Sequence, residues 1–557
     1  MNGKKWDTRR TDYLERINAA KPLVKTGKEV AASDVVKLLE TVIRPGEKVN
    51  LEGNNQKQAD FLAECLSKVN KEKVYDLHMV QSALALPVFL EVFEKGIAKK
   101  LDFAYSGPMG GKIAEFIDQG KVQLGAIHTY LELFARYFTD LTPKVCMVCA
   151  YEGDRFGNLY TGFNTEDTPI QIEATKFSNG IVIAQVNKLY DGVDNKIKRV
   201  DIPGDWVDFV IESPKPFYLE PLFTRDPALI TDAQILMAMI ALKGIYAKYN
   251  VQRLNHGIGF YTAAIELLLP TYGKELGLKG KICKHFVLNP HPTLIPAIED
   301  GWVESIHSFG GELGMQKYCQ ARPDIFFIGP DGTMRSNRAY CQTAGHYAID
   351  MFIGGTLQID RYGNSTTATA TRVAGFGGAP NMGCDSKGRR HITEAWMRCG
   401  DEFTAQKSFL GNQRRGKRLV VQMAETFLEK MAPAFVDELD AEKLAKKANL
   451  ELPPIMVYAD DITHIITEEG IASMHMCESL KEREDAIRGV AGYTKIGLEA
   501  DPKVTGQLRK KGVIQTPEDL GIDRAKANRS LLAAKNVKDL VEISGGLYDP
   551  PGKFHNW

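Results

Sequence analysis

Two nearly identical pentapeptides constrain the fold of this chain more than any other feature. DRFGN runs from Asp154 to Asn158, and DRYGN runs from Asp360 to Asn364. One copy alone fits an ordinary turn, because Asp and Asn bond nearby backbone and Gly accepts positive φ. Two copies with similar surroundings need another explanation, and the surroundings are similar.

Two further landmarks precede each pentapeptide in the same order. An apolar strand, a glycine and an amphipathic helix come first, with Gly53 and Gly257 at the two turns. A β-rich run then leads to Ser106 in one copy and to Ser308 in the other. Three landmarks at nearly constant intervals predict a duplicated domain.

The alternation of short apolar runs with amphipathic helical stretches predicts the fold class. It favours an α/β architecture with mostly parallel sheets. A chain of 557 residues is too long for one core. We therefore predict two tandem related domains, residues 1–228 and 229–557. A cleft between such domains is a favoured place for a ligand.

Composition excludes several classes of partner and site. Lys plus Arg and Asp plus Glu are both 70, so no broad charged field favours nucleic acid or a membrane surface. No apolar run is long enough for a membrane span, and the N-terminus lacks a signal-like apolar stretch. Nine scattered cysteines suit a reducing cytoplasm. The CxxC of Cys146 and Cys149 predicts core packing, and no metal site is expected.

A glycine-rich segment gives the densest chemical signal. RVAGFGGAPNMGCDSKGRRH comes after the second pentapeptide, and it lacks the GK[ST] of a phosphate-binding P-loop. Such a segment can cradle a phosphate, stabilise an oxyanion or simply turn. Exposed N–H groups stabilise an oxyanion that develops on a carbonyl. We predict this catalytic role for Gly377, Gly378 and Ala379.

Several stretches together resemble coenzyme A transferases. GHYAIDMFIGGTLQIDRYGNSTTATATRVAGFGGAPNMG is similar to their second half, and CAYEGDRFGNLYTG is similar to a segment of their first. The loop GFGGAPNMGCDSKGRRH and the terminus SGGLYDPPGKFHNW narrow the resemblance to the α subunit of biotin-independent malonate decarboxylase. The resemblance covers essentially the whole chain and implies two coenzyme A transferase-like domains.

This resemblance also implies a reaction and partners. Members exchange acetate for malonate on a thiol carried by an acyl carrier protein subunit. The thiol ends a phosphopantetheine-type arm derived from dephospho-coenzyme A, and coenzyme A itself is expected to bind as a surrogate. Decarboxylase subunits of the same complex then act on the malonyl thioester. No permanently bound cofactor is expected.

The chain departs from the transferase pattern at the nucleophile. Many transferases attack the thioester with a glutamate in a SENG-x-LG loop, whereas SFGGELG places Phe309 at that position. Glu312 is the nearby carboxylate that can substitute. Because malonate brings its own carboxylate, we predict direct attack on the acetyl thioester through an anhydride.

The remaining candidates are predicted to bind substrate or the thiol arm. Asn255 and His256 lie in the LNHGIG turn, and His346 matches a histidine of the family pattern. The basic clusters 387–391 and 413–418 are candidates for contact with phosphates of the arm. The predicted binding set is Gly375, Phe376, Pro380, Asn381, Met382, Gly383, Asn255, His256, His346 and Phe309.

Three alternatives remain open at this point. A citrate lyase α subunit has the same fold and reaction type with citrate as acceptor. A free-standing coenzyme A transferase would use Glu312 as its nucleophile. A scaffold that only docks a carrier protein is a non-enzymatic alternative, although docking alone needs no cluster of glycine N–H groups.

Overall fold

A computed structural model describes residues 5–54, 56–334, 337–378, 380–383, 419–555 and 557. Among these residues, no helix is both long enough and apolar enough to cross a membrane. The described strands, β1 to β21, are Lys48–Leu51, Lys57–Gln58, Leu77–Ala83, Ala98–Tyr105, Gln123–Ile127, Val145–Asp154, Leu159–Tyr160, Ile181–Tyr190, Phe209–Glu212, Tyr218–Leu219, Arg253–His256, His285–Val287, Ser305–His307, Met351–Gly355, Gln358–Asp360, Ser365–Thr366, Leu419–Met423, Phe435–Val436, His464–Thr467, Gly470–Ser473 and Ile514–Gln515.

The α-helices lie mainly between the strands of the two large sheets. Their bounds are Lys5–Ala20, Val35–Val42, Asp60–Leu66, Glu91–Glu94, Gly110–Asp118, Tyr130–Tyr137, Thr168–Phe177, Asp232–Ala241, Phe260–Leu268, Ile295–Glu299, Gln316–Ala321, Arg338–Ala348, Pro380–Gly383, Asp440–Ala448, Leu480–Arg488, Lys495–Leu498, Pro502–Lys511 and Val537–Ile543.

The two large sheets have the same strand order. The first is β5-β4-β3-β1-β6-β8-β9, and the second is β13-β12-β11-β14-β17-β19-β20-β21. Six strands correspond one to one, from β4 and β13 at one side to β9 and β19 at the other, and all neighbours among them are parallel. The predicted α/β duplication is confirmed.

The predicted landmarks fall at matching points of the two sheets. Gly53 comes after β1 and Gly257 after β11, and these two strands occupy the same sheet position. Ser106 comes directly after β4, and Ser308 directly after β13. Each serine therefore marks the carboxyl end of a corresponding parallel strand, where α/β folds bind ligands.

The two pentapeptide turns share their hydrogen bonds. The Asp154 carboxylate accepts the backbone N–H of Asn158 at 3.0 Å, and the Asn158 amide donates to it at 2.8 Å. Asp360 and Asn364 make the same two bonds at 2.9 and 2.8 Å. The prediction that both aspartates hold equivalent turns is confirmed.

Buried strands read as apolar runs because helices cover both of their faces. In β6, Cys146 and Cys149 are fully buried, and their side chains pack in two hydrophobic clusters. Burial raises the pKa of both thiols well above the ordinary value. Core packing of the CxxC is confirmed.

In sequence, the segment that connects the two halves lies after the strands of the first large sheet and before those of the second. β10 still pairs with β2 of the first half, and the helix Asp232–Ala241 then begins behind a capping box formed by Thr231 and Gln234. The predicted boundary at 228/229 falls in this interval and stays a prediction.

Candidate active site between the two halves

The glycine-rich segment packs against strand ends of the first half. The N–H groups of Phe376 and Gly377 donate to the Ala104 carbonyl at 2.7 and 2.9 Å, and Tyr130 N–H donates to the Gly377 carbonyl at 3.0 Å. Gly375 forms an antiparallel bridge with Tyr105. The segment is therefore held from both sides by the ends of β4 and β5.

This close approach explains why glycine stands at position 375. Gly375 has φ +82°, and a Cβ there would lie 2.5 Å from the Ala104 oxygen and 2.8 Å from the Tyr105 Cα. A larger residue would be strained in its backbone and would push the two segments apart. The glycine at 375 thus serves the docking of the segment.

Gly378 differs from Gly377 in what its N–H can do. The Gly377 N–H is engaged by Ala104, whereas the Gly378 N–H donates to none of the described residues. A Cβ on Gly378 would overlap the Gln342 Nε2 and lie 2.7 Å from the Tyr130 Cδ2. Of the predicted donors that the structure describes, Gly378 is the one left open.

Gln342 and Arg338 lie beside Gly378 and Tyr130, on one face of the helix Arg338–Ala348. Both side chains are buried, and neither polar atom of the Gln342 amide has a partner within the described ranges. The Arg338 Nε and Nη1 likewise make no hydrogen bond there, and its guanidinium lies 4.2 Å from the Tyr130 ring centroid. Buried unpaired donors of this kind suit a polar ligand.

Arg338 is neutralised by carboxylates of the first half. It forms an ion pair with Glu166 and lies 3.6 Å from the Asp167 carboxylate. The buried Lys57 is paired in the same way, with Glu52 at 3.4 Å and the Thr168 hydroxyl at 2.6 Å. Neither cation therefore leaves a net positive charge.

The residue that stands at the position of the usual nucleophile is part of the hydrophobic core. Phe309 is buried, and its side chain belongs to the hydrophobic cluster that also contains Phe352 and Phe376. Its N–H donates to the Asn289 side chain at 3.1 Å. The SFGGELG loop thus presents an apolar ring where many transferases carry a glutamate.

Glu312 is buried among donors between the halves. One carboxyl oxygen accepts the Thr224 N–H at 2.9 Å and the Thr224 hydroxyl at 2.8 Å, and the other accepts the Gln56 amide at 2.5 Å. Burial raises the pKa of Glu312 to about 8 against the lowering effect of these bonds. A carboxyl that is largely protonated at neutral pH is a poor nucleophile.

Asn255 and His256 lie inside the second sheet. The Asn255 amide donates to the Val287 carbonyl at 2.5 Å. His256 lies 2.8 Å from both the Tyr246 hydroxyl and the Glu266 carboxylate, and burial lowers its pKa. His256 is thus fully engaged by protein groups, and its predicted binding role stays a prediction.

The other predicted residues are described in part. Pro380 to Gly383 form a short helix that includes Met382, and the buried Asn381 accepts the Leu131 N–H at 3.3 Å. His346 lies in the helix Arg338–Ala348. Ala379 and the basic clusters 387–391 and 413–418 lie outside the described residues.

Sequence reasoning missed Tyr130, Arg338 and Gln342, which lie far from the glycine-rich segment in the chain. Each is an ordinary helix residue by pattern. The i,i+4 spacing of Arg338 and Gln342 places them on one helix face. That spacing alone does not distinguish a buried polar face from a solvated one.

Comparison with known proteins identifies close relatives. Residues 5–557 match the family described as "Malonate decarboxylase, alpha subunit, transporter". The "Acetyl-S-ACP:malonate ACP transferase" of Malonomonas rubra is 73% identical over 554 residues, covering 100% of this chain and 99% of the relative.

Solved structures show the same architecture. The malonate decarboxylase α subunit of Acinetobacter baumannii has a TM-score of 0.90 at 55% identity, and coverage is 99% of this chain and 100% of that one. A Pseudomonas malonate decarboxylase hetero-tetramer in complex with malonate has a TM-score of 0.91 at 54% identity with the same coverage. An acyl-CoA transferase of Escherichia coli O157:H7 shares the fold, with a TM-score of 0.51 at 14% identity and coverage of 80% and 87%.

Proposed function

The chain belongs to the family of malonate decarboxylase α subunits, and from this premise we propose that it exchanges acetate for malonate on an acyl-carrier-protein thioester. The substrates are acetyl-S-ACP and malonate, and the products are malonyl-S-ACP and acetate. The full-length relative at 73% identity bears the name of this transferase. The carrier subunit and the decarboxylase subunits are its partners in a larger complex.

The observation that carries the mechanism is the pair of open donors at Gly378 and Gln342. The Gln342 amide lies against the Cα of Gly378, and neither the Gly378 N–H nor the two polar atoms of that buried amide has a partner among the described residues. Two such donors suit the oxygen of a tetrahedral intermediate, where removing one donor typically costs about 10²–10³-fold in rate. We assign Gln342 to this role beside the predicted Gly378.

The reaction runs in two acyl transfers through an anhydride. A malonate carboxylate oxygen attacks the acetyl carbonyl carbon, a C–O bond forms, the C–S bond breaks, and the carrier thiolate leaves. The thiolate then attacks the malonyl carbonyl of the anhydride, a C–S bond forms, and acetate departs with the C–O electrons. No net proton transfer is needed. Holding the two reactants of each step together contributes up to about 7–11 kcal/mol through positioning.

Phe309 and Glu312 support the route without an enzyme-bound acyl group. The first places a buried ring at the position of the usual nucleophile, and the second is hydrogen-bonded, buried and largely protonated at neutral pH. The carrier's phosphopantetheine-type arm would enter along the segment from Gly375 to Gly383. Coenzyme A is expected to act as a surrogate for the arm.

An acyl-exchange assay tests the function. Acetyl carrier or acetyl-coenzyme A is offered with labelled malonate or citrate, and labelled malonyl thioester is expected with malonate. A product with citrate alone would reject the proposal. Gln342→Leu should lower the turnover number about 10²-fold without unfolding the chain. Unchanged turnover in that variant would remove Gln342 from the mechanism.

Kinetics distinguish the direct from the covalent route. On the direct route both substrates must be bound together, so steady-state kinetics should be sequential. Treatment with acetyl-coenzyme A followed by borohydride should leave every glutamate of the enzyme intact, and hydroxylamine should likewise trap nothing on the enzyme. A glutamyl adduct at Glu312 with ping-pong kinetics would establish the covalent route instead.

A further inference from the structure

Arg225 is a half-buried cation on the connection between the halves. Its neighbours anchor it, because Phe223 stacks on His291 at 5.4 Å and Thr224 bonds Glu312. The Arg225 Nη1 donates to the carbonyls of Leu222 and Thr224 at 2.7 and 2.9 Å. The guanidinium is therefore held in a fixed plane.

The carbonyl bonds leave one edge of the guanidinium open. The Arg225 Nε and Nη2 make no hydrogen bond to any residue that the structure describes. Neither atom is fully buried, so a ligand can reach both. Nε and Nη2 together form one of the two edges with which arginine grips a carboxylate by two parallel bonds. The open edge thus has the geometry of a carboxylate receptor.

Arg225 also lacks the charge partner that the other cations have. Arg338 is paired with Glu166 and Lys57 with Glu52. Within the described ranges Arg225 forms no ion pair. The carboxyls whose charge acts on it are Glu312, whose pKa burial raises to about 8, and Glu220, which pairs with Lys553 at 3.5 Å. An uncompensated charge in a partly buried place is costly, and an anionic ligand removes that cost.

The surroundings of Arg225 come from both halves. Its guanidinium lies 6.0 Å from the centroid of Phe260, which begins the helix after the glycine turn of the second half. Its charge also acts on Tyr105, whose backbone pairs with Gly375 of the glycine-rich segment. Arg225 therefore lies where the β4 end, the SFGGELG loop and the second glycine turn meet.

We propose that Arg225 binds the distal carboxylate of malonate, the carboxylate that does not react, and so selects malonate over acetate. This inference rests on the proposed transferase function. Malonate differs from acetate by that carboxylate, and both acids present the same reacting group. A site that admits malonate and releases acetate therefore needs a cation placed away from the reacting oxygen.

Two exchange reactions on the full chain test the assignment. The first measures labelled malonate entering the carrier thioester, and the second measures labelled acetate exchanging into acetyl carrier. Arg225→Gln should raise the KM for malonate at least about 100-fold with little change in kcat, because the distal carboxylate is bound alike in ground and transition states. Acetate exchange should change less than about threefold. Arg225→Lys should retain part of the malonate affinity, since it keeps the charge but not the bidentate edge.

Arg529→Gln is the matched control. Arg529 also donates to carbonyls of the connection, those of Pro227, Ala228 and Ile230, and its Nη2 donates to the Lys535 carbonyl at 2.8 Å. This variant should lower the melting temperature while leaving the malonate-to-acetate ratio of the wild type. If Arg225→Gln fails to fold, Arg225→Lys carries the test, with an expected rise of about tenfold in the KM for malonate.

The outcomes separate this inference from the proposed function. If the wild type forms no malonyl thioester, the transferase function falls and the assignment falls with it. If the wild type is active and Arg225→Gln loses malonate and acetate exchange equally, Arg225 is structural and the assignment is wrong. An unchanged KM for malonate would overturn it as well.

Discussion

The two halves dock on each other reciprocally. The loop that begins at Ser106, after β4, contacts the glycine-rich segment of the second half, and the Ser106 N–H donates to the Ala374 carbonyl at 3.0 Å. The loop that begins at Ser308, after β13, contacts the segment of the first half that contains Asn164, and the Gly311 N–H donates to the Asn164 side chain at 2.7 Å. Each docking segment comes after the aspartate turn of its own half. The duplication therefore extends from the strands to the contact between the halves.

The halves differ in the length of chain after each aspartate turn. The Asn158 side chain accepts the N–H of a residue 46 positions later, whereas the equivalent bond of Asn364 spans 95 positions. The second half is longer in this interval, which contains the glycine-rich segment. The first half instead supplies Glu166, which neutralises Arg338. The two halves therefore share their strand order and turns, and the proposed catalytic segment belongs to the interval that is longer in the second half.

The largest expected effect removes the feature that the first half lacks. Gly378→Val places a Cβ on the Gln342 amide and against Tyr130, so we expect at least about a 10³-fold loss of transferase turnover, about 4 kcal/mol. Gly111→Ala is the control, because a Cβ there would lie 3.9 Å from the Thr371 oxygen, an ordinary van der Waals distance. Turnover and melting temperature are measured together. A folded, fully active Gly378→Val protein would contradict the placement of the site.

The next effect compares position 312 with its first-half counterpart Gly110, counted from each serine. Glu312 has a folded pKa of about 8 against an ordinary 4.5, so folding favours its protonated form. Its contribution is complete below about pH 4.5 and is lost as the pH rises through about 8, on the order of a few kcal/mol. Relative to Glu312→Gln, the wild type should lose thermal stability between about pH 5 and 8. Parallel curves for the two proteins would show that Glu312 does not titrate there.

The same variant bears on catalysis. On the direct route Glu312→Gln should cost about tenfold in turnover, close to about 1.4 kcal/mol, through lost positioning. A near-total loss would favour the covalent route and break the contrast between Phe309 and a nucleophilic loop.

The equivalence of the turns predicts equal local losses. Asp154→Ala and Asp360→Ala each leave backbone N–H groups of the turn without their acceptor, so we expect about 2–3 kcal/mol of lost protection at Asn158 and Asn364. Native-state hydrogen exchange measures each turn separately. A difference of more than about 2 kcal/mol between the two would show that the repeat is not energetically equivalent.

The smallest effect concerns two asparagines at matching strand positions. Asn50 and Asn255 donate to the carbonyls of Val80 and Val287, at 2.8 and 2.5 Å. Asn50 also meets the Cys146 thiol at 3.5 Å, whereas the Asn255 oxygen lacks a partner within the described ranges. Asn50→Ala should therefore cost more than Asn255→Ala, by about 1 kcal/mol in thermal unfolding. Equal or reversed losses would indicate that Asn255 has gained another role.

Much of the frame can be predicted from local sequence signals. The paired turns, the glycines after β1 and β11 and the serines after β4 and β13 were all placed correctly, because turn chemistry and strand periodicity act over a few residues. The glycine-rich segment is also evident in the sequence, and its catalytic role stays a prediction. Local sequence signals do not distinguish Gly377 from Gly378, because the Ala104 carbonyl that occupies the Gly377 N–H lies on another strand.

The duplicated α/β architecture could thus be predicted from the sequence alone, because repeated short-range patterns build repeated structural units. The residues of the cleft could not be identified from the sequence alone. Gln342 lies against Gly378 through the packing of a helix, and burial between the halves raises the pKa of Glu312 to about 8. Burial and charge balance depend on neighbours brought from distant parts of the chain, and those neighbours exist only once both halves have folded together.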